Sequence, residues 1–279
     1  MDLSLVVCTR NRATLLSEAL PHFSRLQSPA SWELVMVDNG STDATAEILA
    51  ALAQSAPMRL TLVNEPKRGL SAARNAGWRR AQGRIVVFTD DDCYPATDFL
   101  DQVGHCFSES ALGFLGGRVL LFDPNDYPIT IQTLEQRVEI APRAYVGPSL
   151  IHGANCSFLR EALARLGGFD ERLGAGTPLC SGEDVDVLAR ASALGYAGAY
   201  DPRPLVFHHH RRTTQAEADQ LMAGYDIGRG AFFAKGLRNR QTRGAFLWPV
   251  LRRIGGNLAR RDFAVLRREL AGAWKYTFG

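Results

Sequence analysis

Residues 84–95 read RIVVFTDDDCYP, an apolar run that ends abruptly in three adjacent carboxylates, Asp90, Asp91 and Asp92. Continuous β-branched and aromatic residues suit a strand buried on both faces. Three neighbouring aspartates repel one another and add nothing to the stability of a strand end. The pattern makes sense if something positive sits there. The simplest candidate is a hard divalent cation shared between carboxylates and the phosphates of a substrate.

The same arrangement recurs upstream. Leu3–Cys8 is a continuous apolar run that stops at Thr9-Arg10-Asn11-Arg12, and Trp32–Val37 stops at Asp38-Asn39-Gly40-Ser41-Thr42-Asp43. Leu60–Val63 is a third run. Between them, Leu15, Leu16, Ala19, Leu20 and Phe23 recur at helical spacing. Thr42 or Asp43 can cap a helix carrying Ile48, Leu49 and Leu52, and a further helix is predicted from about Ser71 to Ala81. Strand and helix thus alternate four times, which predicts an α/β fold with a mostly parallel central sheet, Rossmann-like in its N-terminal half. Such sheets bind ligands at the carboxyl ends of their strands. Thr9-Arg10, Asp38-Asn39 and Thr89–Asp92 all fall there. Any one cluster is also what a plain turn needs; the three together point to a site.

Downstream the pattern changes. A helix is predicted near Asp98–Phe107, a strand over Gly113–Phe122 and a partly irregular stretch over Asp123–Val146. Ile151–Leu159 reads as a strand entering a helix at Arg160–Leu166 that Gly167-Gly168 ends. Leu173–Gly182 is rich in Gly, Pro, Thr and Ser, and is expected to be mobile. A helix from Glu183 to about Leu194 precedes short strands near Ala197–Tyr200 and Pro202–Phe207, then His208-His209-His210-Arg211-Arg212. The remainder reads as helices. The expected organisation is 1–212 as the main domain, split at 95/96 into a nucleotide-binding half and an acceptor and catalytic half, with 213–279 as a basic helical extension.

Composition is that of a soluble globular chain, 22% charged and 46% hydrophobic over 279 residues. Net charge is +3, but Arg229–Gly279 carries twelve Lys/Arg against Asp262 and Glu269, leaving −7 for residues 1–228. The five cysteines are scattered and lack a C-x-x-C pair, which argues against a disulfide framework or a zinc site and fits a reducing compartment. No signal-peptide pattern opens the chain and no run approaches the ~20 apolar residues of a spanning helix. A cytoplasmic location is expected, with peripheral attachment to the inner face of the plasma membrane if the basic extension touches lipid.

The motifs Val7–Arg12, Asp38–Asp43, Gly69-Leu70-Ser71-Ala72-Ala73-Arg74-Asn75, Thr89–Asp92, Gly153-Ala154-Asn155 and Gly182-Glu183-Asp184-Val185-Asp186 occur in one order across residues 3–212. As a set they closely resemble family 2 glycosyltransferases of GT-A fold. The resemblance implies a nucleotide-diphospho-sugar donor, UDP- or dTDP-linked, a divalent metal (Mg or Mn), and inversion at the anomeric carbon. It implies a saccharide or lipid-linked acceptor in cell-surface glycan assembly. Thr9 and Arg10 would line the nucleobase or ribose side, Asp38 would accept from the base, and Arg74 would approach the donor. Asp90 would face the ribose, Asp92 would bind the metal, and Asp91 lies on the donor side without a defined role. Cys93 stands where many members carry another acid.

The resemblance also makes Asp184 the general base, with Glu183 supporting it or binding acceptor. The helix N-terminus there favours a charged carboxylate, though both acids could simply cap the helix. Imidazole is a common metal ligand, and His208 is the expected one of the three histidines, with His210 on the same side by alternation. Asn155 is expected to touch sugar, and Arg211 and Arg212 to help hold the diphosphate. Trp78, Trp248 and Trp274 read as core or interface residues.

Two readings of the extension stay open. Phe246–Ile254 and Asp262–Trp274 are basic and amphipathic, which suits an anionic membrane surface, or packing on the main domain or a second copy. A nucleic-acid role lacks aromatic interleaving and a known motif. Competing functions are a sugar-phosphate nucleotidyltransferase, opposed by the absence of glycine in Thr9–Arg12, and a non-catalytic nucleotide-sugar binding module, opposed by Asp90, Asp92 and Asp184.

Overall fold

The four apolar runs form β1 (Leu3–Thr9), β2 (Trp32–Asp38), β3 (Arg59–Asn64) and β4 (Ile85–Asp90), mutually parallel in the order β3-β2-β1-β4. The structure is a computed structural model that describes residues 1–279. The crossovers are α1 (Ala13–Ser24), α2 (Thr45–Ser55) and α3 (Leu70–Arg80). Register aligns the polar clusters: Thr9 lies beside Asp38, and Cys8 beside Asp90. The strand ends therefore make one continuous polar edge.

The second half completes the sheet with mixed pairing. β5 (Cys93–Pro95), α4 (Phe99–Glu109), β6 (Phe114–Leu121), β7 (Val138–Ile140), β8 (Cys156–Leu159), α5 (Arg160–Leu166), α6 (Glu183–Ala193) and β9 (Gly198–His208) follow. β8 runs antiparallel to both β4 and β6, whereas β6 and β9 are parallel. Two expectations change here. The strand foreseen from Ile151 starts only at Cys156, because Gly153–Asn155 is a 3-10 turn. The two short strands after Ala197 are one strand, β9, whose register against β6 shifts between Gly116 and Arg118. Pro202 and Pro204 sit in that irregularity, where a missing N–H costs no ladder bond.

Apolar side chains fill both faces of the sheet. One layer centres on Leu5, Leu16, Phe23 and Phe99, and the other on Val6, Phe88, Phe158 and Leu188. Asp43, rather than Thr42, receives the N–H of Thr45 at the start of α2. The Leu173–Gly182 segment, expected to be mobile, follows a packed path. Leu173 and Leu179 are buried, and the N–H of Leu70 reaches the carbonyl of Ala175 at 2.9 Å.

The extension is α7 (Gln215–Arg238), α8 (Arg243–Ala259) and α9 (Phe263–Phe278). A capping box of Thr214 and Glu217 starts α7, and Phe232 enters the core layer with Phe88. α9 lies against α7 at backbone distance: a Cβ on Gly230 would come 1.8 Å from the carbonyl oxygen of Glu269. Buried Glu269 accepts from Arg229, Arg253 and Asn257, and buried Asp226 accepts from Arg229 and Arg268. Three arginines of the basic segment are therefore committed to internal packing. Trp78 is buried, whereas Trp248 and Trp274 are exposed rather than core.

Candidate active site

At the carboxyl edge of the sheet, β4 delivers Asp90, Asp91 and Asp92 while β9 ends at His208. Antiparallel pairing sets Cys93 opposite His208. His208 Nε2 lies 3.5 Å from Asp92 Oδ1, and the ligand atoms of Asp92, Cys93 and His208 lie within 4.8 Å of one another. Burial works against charge on Asp92, but His208 and Arg12 overcome it and its pKa falls. Burial likewise opposes a charged His208, but Asp92 outweighs it and the imidazole's pKa rises. Burial raises the Cys93 thiol well above its ordinary value, which keeps it neutral. The carboxylate suits Mg or Mn, the borderline imidazole favours Mn of the two, and a protonated thiol adds nothing for a hard cation. The donor set therefore fits a divalent metal held by Asp92 and His208.

The other two histidines have different employment. His210 accepts from the N–H of Arg212 at Nδ1, 3.0 Å, and its Nε2 meets the Tyr127 carbonyl, also at 3.0 Å. The second choice for the metal is thus a loop brace. His209 packs among Tyr94 and Phe122. Arg211 pairs with Glu18 at 2.7 Å and is not free for a diphosphate; Arg212 stays on the Asp92 side.

Arg74 departs most from expectation. It is 2% exposed, and its guanidinium donates to Glu183 Oε1 at 2.9 Å, Asp90 Oδ1 at 3.0 Å and the Gly153 carbonyl at 3.2 Å. Rather than facing a donor, it ties α3 to the end of β4 and the start of α6. Burial opposes its charge, but Asp90 and Glu183 raise its pKa. Glu183 is pushed upward by burial and by Asp184, with Arg74 opposing. Glu183 is thereby buried and paired with Arg74.

Asp184 opens α6 beside it and is only half-buried. The N–H of Gly153 donates to its Oδ2 at 2.8 Å, and the N–H of Val185 to its Oδ1 at 2.7 Å. Both oxygens are oriented by backbone, and each retains a lone pair. Asn155, expected to touch sugar, is engaged within the chain. It is 1% exposed, and its amide donates to the carbonyls of Arg118 at 2.9 Å and Pro204 at 3.0 Å. It bridges β6 and β9 where their ladder is irregular, so its amide is already used.

On the nucleoside side, Thr9 is buried with its hydroxyl toward the Asp91 carboxyl. Arg10 donates to the Asn39 carbonyl at 2.9 Å, and Asp38 Oδ1 accepts the Ser41 N–H at 3.0 Å, leaving its second oxygen uncommitted. Asp91 is buried, and burial together with Asp92 raises its pKa to about 7.

Sequence reasoning misses three contributors. Asn39 latches the β2 turn to the next loop by donating to the carbonyls of Glu65 and Lys67 and accepting the N–H of Gly69. Arg12 stands 3.7 Å from both Asp91 and Asp92. Thr130 Oγ1 lies 3.1 Å from His208 Nδ1. Arg12 and Asn39 lie inside the Val7–Arg12 and Asp38–Asp43 motifs, which is signal enough to single them out; Thr130 sits in a stretch with no periodicity.

The family model described as Glycosyl transferase family 2 matches residues 4–167. The chain belongs to that family. Glycosyltransferase AglE of Haloferax volcanii is 26% identical over 200 residues, covering 70% of this chain and 62% of its own length. The chain therefore spans less than two thirds of that relative. The mannosyltransferase PcManGT of Pyrobaculum calidifontis, solved with GDP-Man and Mn2+, superposes with a TM-score of 0.69 at 24% identity, covering 99% of this chain and 87% of that one. S. aureus TarS 1–349 in complex with UDP-GlcNAc gives 0.65 at 18% identity over 88% and 69%. These likenesses establish a GT-A fold.

Proposed function

We propose that this glycosyltransferase is a divalent-metal-dependent, inverting enzyme. It moves a sugar from a nucleoside-diphosphate donor, UDP- or dTDP-linked, to a hydroxyl of a saccharide or lipid-linked acceptor in cell-surface glycan assembly. Residues 1–212 form the transferase unit. The observation that carries this reading is the division of carboxylates. Asp92 lies against His208, and Asp184, oriented by two backbone N–H groups at the start of α6, is a separate carboxylate outside that pair.

Asp92 and His208 would hold the metal, which when bound supplies positive charge to the departing diphosphate. Asp38 and Arg10, with Thr9 beside them, would line the nucleobase side of the donor. Asp90 is fixed on one oxygen by Arg74, and its other oxygen would accept from the ribose. Asp184 takes the acceptor hydroxyl's proton as that oxygen attacks the anomeric carbon from the face opposite the diphosphate, whose bond to carbon breaks. One displacement needs one base, and it inverts the centre. Glu183 and Arg74 position Asp184 and Asp90 without touching substrate.

The test is a panel of UDP-, dTDP- and GDP-sugars with Mg or Mn, scored for transfer and hydrolysis. Asp184→Asn should lower transfer by about 100-fold to 10,000-fold, the range of a general base, while donor affinity by calorimetry stays within a factor of a few. Loss of donor binding would move Asp184 out of the base role. Absence of turnover or binding with every donor would reject the enzyme reading itself.

A further inference from the structure

We propose that the outer faces of α8 and α9 form a docking surface for an anionic lipid bilayer. On α8, Leu247, Trp248, Leu251 and Leu258 are all exposed, Trp248 at 71%. At 100° per residue they fall within an arc of about 100°. On α9, Phe263, Leu270, Trp274 and Phe278 are exposed as well, Trp274 at 65%, within an arc of about 80°. The opposite faces are the ones already used. Phe246 of α8 packs on Gly236 and Phe232, and Glu269 and Gly272 of α9 press on α7. Both apolar stripes therefore point away from α7, on adjacent helices joined by the short turn 260–262.

Charge chooses the occupant. Arg243 and Arg252 border the α8 stripe, and Arg267 and Lys275 lie within or beside the α9 stripe; all four are exposed and have no acidic partner within 4.0 Å. Past Arg238 the exposed acids reduce to Asp262, since Glu269 is buried and paired. A second copy docked about a two-fold axis would set these cations against their own counterparts. An anionic leaflet meets both needs: tryptophan and phenylalanine enter the headgroup boundary, and guanidinium groups pair with lipid phosphates. No helix is long and apolar enough to cross a membrane, so the contact is lateral. The proposal does not depend on which sugar is moved.

The experiment is co-sedimentation of the full chain with vesicles of phosphatidylcholine plus phosphatidylglycerol, or of phosphatidylcholine alone, at low and high salt. Binding should be strong only with phosphatidylglycerol and should weaken with salt, because exposed charges are screened within about 10 Å at 0.1 M. Trp248→Ser with Trp274→Ser should lower partitioning by at least about tenfold. Arg252→Glu or Arg267→Glu should each lower it about fivefold or more. These positions are exposed, and circular dichroism checks that the variants are folded; if any is not, the salt and lipid dependence of the parent chain still decides. Equal sedimentation with both vesicle types, or none, overturns the proposal. So does a dimer in analytical ultracentrifugation that the tryptophan variant dissociates while vesicle binding stays absent.

Discussion

Replacing Arg74 with methionine should be among the most damaging single changes in the chain, and stability should reveal it before kinetics does. Arg74 makes two ion pairs of unequal weight. Asp90 is 32% exposed in its side chain, so water screens that pair and its loss costs about 1 kcal/mol or less. Glu183 is only 8% exposed, and without Arg74 it becomes an uncompensated buried carboxylate next to Asp184. Breaking a buried pair from one side costs about 3–5 kcal/mol. For a chain of this size that corresponds to a melting temperature lower by about 10 °C. The double variant Arg74→Met, Glu183→Gln removes the orphaned charge and should recover more than half of the loss, a non-additive result. The pH dependence has a definite sign. Glu183, raised in the fold and raised further without Arg74, binds a proton that the unfolded chain has released. The single variant should therefore lose stability relative to the parent as pH rises from about 5 to 8. Thermal melts of the four proteins at two pH values decide the matter. A single variant within about 1 kcal/mol of the parent, or strict additivity in the cycle, would refute the argument that Arg74 is a buried clamp.

Other expectations follow from the same geometry. Asn155→Ala should cost about 1–3 kcal/mol by orphaning the buried Pro204 carbonyl and freeing the part-buried one of Arg118, with donor KM unchanged in the folded fraction; a raised KM at full stability would support the sugar-contact role. Gly230→Val drives a side chain into the Glu269 carbonyl, so hydrogen exchange over 263–278 should accelerate by at least tenfold as α9 lifts from α7, an effect of order 1.4 kcal/mol; unchanged protection would contradict the close approach. Burial alone would raise Asp201, but hydrogen bonds from Arg203 and Arg137 bring it down to about 2. That stabilisation is complete above about pH 4 and fades as pH falls toward 2, so Asp201→Asn should flatten the acid limb of a melting-temperature curve there; an unaltered limb counts against it.

Much of the nucleotide half is legible in the sequence. Continuous apolar runs capped by Thr9, Asp38 and Asp90 specify parallel strands, because only a strand buried on both faces tolerates such runs, and the chain's handedness then places every polar cap on one edge. The choice of His208 rests on the resemblance, since alternation puts His210 on the same side. What distinguishes the two is tertiary, as β9 ends at His208 beside Asp92 whereas His210 is used by the Tyr127 carbonyl and the Arg212 N–H. The resemblance points to Asp184, and its half-exposed place at the start of α6 suits the role proposed for it.

The partners of polar side chains lie beyond the reach of sequence. Arg74 and Asn155 look like ligand-binding residues in a motif, since a guanidinium or an amide binds a carboxylate, a phosphate or a carbonyl alike. Only packing shows that the chain itself supplies those groups, from Asp90 and Glu183 in one case and from Arg118 and Pro204 in the other. The basic extension divides in the same way. Periodicity identifies amphipathic helices, but it cannot tell which arginines face inward. Burial of Glu269 and Asp226 assigns Arg229, Arg253 and Arg268 to the interior and leaves Trp248 and Trp274 outside. Local pattern determines which segments are strands and helices and where their polar ends meet; long-range contact alone decides which polar groups are already satisfied and which remain for a ligand.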